Sequence, residues 1–125
     1  MNGQSANKSM ILGGSCRYQS FPGVATIVSI TAMPQADGVP YRGYDVKFMF
    51  KPDHAIPQSF AQPEGALFPL RLTNSWPPGP QFLQRYGITI GKTFPCVLKV
   101  IVEGTCTPLV FEFPTINLSD FREGR

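Results

Sequence analysis

Tyr44-Asp45-Val46-Lys47-Phe48-Met49-Phe50-Lys51-Pro52 is the stretch that decides how this chain folds. Tyr44, Val46, Phe48 and Phe50 fall on one side of an extended backbone and Asp45, Lys47, Met49 and Lys51 on the other. That two-residue period belongs to a strand with one buried and one solvated face. Pro52 ends it, because proline cannot donate to a ladder.

Upstream, Asp37-Gly38 and Pro40 mark residues Pro34 to Arg42 as a loop. Before it, Cys16 to Ala32 is rich in β-formers: Val24, Thr26, Ile27, Val28, Ile30 and Thr31. Ile27 and Ile30 are three apart, so a strict alternation sends them to opposite faces. Either both faces are covered there, or a bulge bends the strand so that its halves serve different neighbours.

Downstream, Asp53 to Gly65 reads as an irregular excursion and Phe68 to Thr73 as a short third strand, with Leu70 and Leu72 on one side and Arg71 on the other. Pro80 to Tyr86 is the helix candidate: proline suits the first turn, Phe82, Leu83 and Tyr86 share a face, and Gly87 is placed as a stop. A fourth strand, Thr93 to Glu103, sets Cys96, Leu98, Val100 and Val102 against Val97, Lys99, Ile101 and Glu103. After the Gly104 turn, Leu109, Phe111 and Phe113 form one face of a fifth strand, making a hairpin with the fourth.

The bulk numbers agree. Thirteen prolines and twelve glycines are scattered through 125 residues, which suits short strands better than long helices. Apolar residues make up 42% and charged residues 15%, enough apolar content to bury a core. Residues 14–116 form one β domain, flanked by a polar N-terminal arm at 1–13 and a charged C-terminal tail at 117–125. The net charge of +3 lacks the dense basic stripe of a dedicated nucleic-acid binder. No apolar run reaches the length of a membrane helix and the first nine residues are polar, so the chain as given reads as cytoplasmic. A periplasmic location is the alternative, if a signal segment precedes it.

Strand, strand, strand, short helix, strand, strand is an all-β order that resembles the OB-fold, a five-stranded Greek-key barrel with a helix between strands three and four. The runner-up, an immunoglobulin-like β-sandwich, needs about seven strands. Gly14-Ser15-Cys16 and Gly104-Thr105-Cys106-Thr107-Pro108 also resemble parts of small bacterial domains to which no function attaches. The architectural likeness transfers no activity. It does imply that strand one runs antiparallel to strand four, which would bring Cys16 near Cys106, as a disulfide or in mere proximity. The plainer reading is three independent thiols packed as small hydrophobes.

The same likeness points to the polar side of strands two and three. Lys47, Lys51 and Arg71, extended by Trp76 from its proline-stiffened loop, offer the cations and ring with which OB-folds hold single-stranded nucleic acid or oligosaccharide. An ordinary solvated strand face is the simpler account of the lysines, and a plug for the barrel end is the simpler account of Trp76. The preferred functional reading is a non-enzymatic binding module whose partner is single-stranded nucleic acid, oligosaccharide or protein. One alternative is an assembly protein using Val97 and Ile101; another is a small enzyme pairing His54 with a cysteine. Without a C-x-x-C pair, and with one histidine, the sequence offers no metal signature. It carries no cofactor motif either. Four Phe-Pro dipeptides, at residues 21, 68, 94 and 113, mark strand ends where the ring caps the core.

Overall fold

The computed structural model describes residues 15–123, so the arm read at 1–13 lies outside the described residues. Five antiparallel strands make up most of its regular secondary structure: β1 (Arg17–Ala32), β2 (Tyr44–Pro52), β3 (Phe68–Pro69), β4 (Thr93–Glu103) and β5 (Leu109–Glu112). Among the described residues helix is limited to α1 (Pro80–Arg85) and a 3-10 turn at Ser59–Ala61. The strands lie in the order β3-β2-β1-β4-β5 and curl into a half-barrel.

β1 is the centre of the sheet because it is long enough to serve two neighbours. It pairs with β2 over Gly23–Ala32 and with β4 over Arg17–Thr26. The β1–β2 register shifts between Ile27 and Ser29, leaving Val28 as an extra residue. That bulge sets Ile27 opposite Phe48 and Ile30 opposite Val46, so two isoleucines three apart both reach the inner face. At Gly23, where β1 is flanked on both sides, an added Cβ would lie on the Lys51 carbonyl and 2.7 Å from the Pro52 Cα. Only glycine lets β2 end so close to the bend.

Ala25, Ile27, Val46, Phe48, Phe50, Cys96, Leu98 and Val100 line the inner face and form one buried cluster with Phe82, Ile88 and Ile116. Of the four Phe-Pro dipeptides, Phe21, Phe94 and Phe113 are buried, Phe68 is half-buried, and every proline faces outward. The two sheet edges, β3 and β5, are bridged by rings: Phe68 and Phe111 approach to 4.7 Å between centroids, and both meet Phe48.

Two strand boundaries differ from those read in the sequence. β3 stops at Pro69 rather than Thr73, because the Leu72 N–H turns to the Trp76 carbonyl and closes a tight loop. Leu70 and Leu72 are nevertheless buried, as the alternation demands. Val102 continues the alternation of β4 but is 44% exposed, since its partner strand β5 reaches back only to Val100 and leaves no core beneath it.

The charged C-terminal residues pack against α1. The Glu123 carboxylate accepts from the N–H groups of Gln81 and Phe82, at 3.1 and 2.6 Å, replacing the local cap that Gly79 cannot supply. Asp120 is buried and accepts from the Tyr86 hydroxyl at 2.8 Å, with Arg85 and Arg122 completing its shell. Hydrogen bonding from Arg122, opposed by burial and reinforced by Tyr86, holds its carboxyl well below the usual carboxylate range. Because the folded form binds this proton less readily than the unfolded chain, the stabilisation is complete above the ordinary carboxylate pKa of about 4 and drains as pH falls below it. Asp120→Asn is therefore expected to cost about 2 kcal/mol at pH 7. It should also flatten the acid limb of a melting-temperature profile; parallel limbs for variant and parent would contradict the assignment.

Candidate functional site

A concavity lies where β2 runs past β3. The β2–β3 ladder is only two pairs long, Lys47 with Pro69 and Phe48 with Phe68, so Met49–Pro52 extends beyond its neighbour. The excursion from Asp53 onward folds back over this overhang. Ile56 and Ala61 anchor it in the core, and Gln62 ties it together by donating to the Ile56 and Gln58 carbonyls at 2.8 and 2.9 Å. Pro57 and Pro63 hold the intervening turns extended. Between strand and loop remains a cleft of about 450 Å³, within the range of small-ligand sites.

Its lining divides by chemistry. Phe50, Ile56 and Pro63 supply a buried apolar floor. Lys51, Asp53, His54 and Glu64 stand exposed around it. None of these four forms an ion pair or side-chain hydrogen bond with another described residue, whereas Lys47, Lys99 and Arg17 are all paired. Counting side chains with His54 neutral, one lysine and two carboxylates leave the lining one negative charge.

The four positions singled out in the sequence do not meet at one place. Lys51 lines the cleft. Lys47 lies on the same face of β2 but is engaged by Asp45 at 2.9 Å. Continuing the β2–β3 register puts Arg71 opposite Asp45, where one guanidinium nitrogen and one Asp45 oxygen are each buried without a partner. Trp76 is half-buried against the core and meets the Tyr41 ring edge-on at 6.0 Å. The Tyr41 hydroxyl in turn donates to the Pro77 carbonyl at 2.7 Å. On the outer face of β1–β3 the large exposed residues are Val24, Met49 and Leu67, aliphatic rather than aromatic. Sequence reading passed over Asp53 and Glu64; each is unremarkable alone, and only the fold-back of the loop brings them together.

Cys16 and Cys106 are joined by a disulfide across 90 residues, with their Cα atoms 6.2 Å apart. The bond ties the start of β1 to the β4–β5 turn. There Gly104, at φ 107°, passes so close that a Cβ would come within 2.6 Å of the Cys16 sulfur. Cys96 is free and buried, and burial pushes its thiol up to about 12. His54 therefore has no thiolate to work with near neutral pH. Val97 and Ile101 on β4 are half-buried. Among the described residues, no cluster of three or more His, Cys, Asp or Glu side chains could hold a metal ion, and no helix is long and apolar enough to cross a membrane.

Neither the family models, the curated proteins nor the solved structures gave a match to this chain.

Proposed function

We propose that this chain is a non-enzymatic binding module on an OB-like Greek-key barrel, and that it takes its ligand in the cleft between the β2 overhang and the Asp53–Gly65 loop. The barrel reading draws support from β1 pairing with both β2 and β4 and from α1 falling between β3 and β4. One observation carries the site: four polar side chains without a partner among the described residues ring a buried apolar floor in a cleft of about 450 Å³. That combination gives a ligand both a desolvated surface and groups to orient it.

An oligosaccharide or a peptide suits this lining better than single-stranded nucleic acid, which needs stacking rings and unpaired cations. The Trp76 and Tyr41 rings are engaged with each other edge to face, and Lys47 is paired with Asp45. Titrating 15N-labelled protein with a fragment library, and separately with oligothymidylate at low salt, tests the reading. Fragments should shift amides within Met49–Gly65. Shifts confined to the Trp76 region, or none at millimolar fragment, would overturn it; strong oligothymidylate binding would restore the nucleic-acid version.

The Cys16–Cys106 disulfide lies at the surface and supports residence in an oxidising compartment such as the periplasm, since cytosolic thiols are kept reduced. Alkylation of thiols in intact cells before lysis should label Cys96 alone after unfolding. Labelling of all three cysteines would place the chain in a reducing compartment.

A further inference from the structure

The cleft has a feature that a small-molecule pocket does not require: one wall is a strand edge. Leu70 donates its N–H to the Val46 carbonyl, so the even-numbered residues of β2 point their peptide groups toward β3. Asp53 donates to the Pro22 carbonyl, consistent with odd-numbered residues pointing to β1. The alternation therefore aims the N–H and C=O of Phe50 at the side β3 has vacated. Ala66, which would stand opposite Phe50 if β3 continued, instead gives its N–H to the Pro63 carbonyl. None of the loop hydrogen bonds among the described residues reaches Phe50.

We propose that this edge docks an extended peptide, which pairs its main chain with Phe50 inside the cleft and carries one basic side chain toward Asp53 and Glu64. The proposal rests on the reading of the cleft as a binding site and names its occupant. A donor and an acceptor on one residue, side by side on a strand edge, match the main chain of an added strand. Pro52 has no N–H, so the added strand is short: the Phe50 N–H and C=O and the Pro52 C=O are what the edge offers. The peptide residue opposite Phe50 faces the buried floor of Phe50 and Ile56, and its neighbours lie over Met49 and Leu67, which are 44% and 51% exposed. These environments call for an apolar central residue. The single negative charge of the lining calls for one cation nearby.

The test uses the full chain with its disulfide intact and an acetylated, amidated Val-Lys-Val-Thr-Val peptide. Binding should shift the amides of Met49–Asp53 and slow exchange of the Phe50 amide hydrogen at least tenfold at saturation. Methylating the central peptide nitrogen removes a donor and should weaken binding about tenfold. Glu64→Gln should weaken this peptide while leaving Val-Thr-Val-Thr-Val unchanged. Shifts without protection of Phe50 would overturn strand pairing. Fragments that shift the cleft when the peptide does not would overturn the peptide and leave the cleft standing; silence from both would remove the two together. Concentration-dependent dimerisation that protects Phe50 without any peptide would overturn the proposal in favour of a second copy.

Discussion

Phe48→Ala is expected to destabilise the protein by about 3–5 kcal/mol, the range for truncating a fully buried aromatic ring. Phe48 is 1% exposed and is the hub on which the two edges of the sheet converge. Its ring meets Phe111 and Phe113 edge-on, at 5.0 and 5.3 Å, and tilts against Phe68 at 5.8 Å. The loss therefore combines the transfer term, an unfilled cavity and three aromatic contacts at once. For a domain of this size it corresponds to a melting temperature lower by roughly 12–20 °C. Phe60, 59% exposed on the loop, is the control, and its replacement should cost under about 0.5 kcal/mol. Calorimetry of the two variants checks the contrast. A Phe48→Ala loss below about 1 kcal/mol would mean that β3 and β5 are not held together by this ring.

Reduction of Cys16–Cys106 should produce the other large effect. Joining residues 90 apart restricts the unfolded chain strongly, worth about 4–5 kcal/mol on loop-entropy grounds and 2–5 kcal/mol by the usual cost of removing such a bond. Cys106 is exposed, so reductant reaches the bond without prior unfolding. The core cluster from Phe21 to Ile116 does not include either sulfur, so the reduced chain should stay folded at 25 °C with a lower urea midpoint. Superimposable urea curves with and without reductant would contradict this, and a Cys96→Ser background keeps the free thiol from reshuffling. The disulfide shares no contact with the Phe48 ring, so the two losses should add.

Half-buried strands announce themselves. The alternation in Val46–Lys51 and in Thr93–Val100 survives in the folded chain residue for residue, because each side chain there answers to a single face. Alternation reports burial, not pairing, and this is why β3 looked longer than it is: Leu70 and Leu72 are buried whether the backbone between them pairs with a strand or turns toward Trp76. The tie of Glu123 to the N-terminus of α1 was invisible for another reason. Its partners are 41 and 42 residues away, and capping rules look only at neighbours. The cleft was only partly legible. Lys51 and His54 stood out as charged or titratable, but the overhang of β2 depends on where β3 begins, and Ala66, which would stand opposite Phe50, gives its N–H to the Pro63 carbonyl instead. The disulfide required a strand order before its partners could be considered together, since nothing in the spacing of three cysteines selects a pair.

The account turns on β2 outrunning β3, and amide hydrogen exchange at Phe48 and Phe50 in the ligand-free protein tests that most directly. The Phe48 N–H, within the ladder, should be protected to nearly the global stability, while that of Phe50, lacking a strand partner, should exchange orders of magnitude faster. Equal protection at the two residues would mean that β3 extends alongside Phe50, and the open edge on which the cleft is built would not exist.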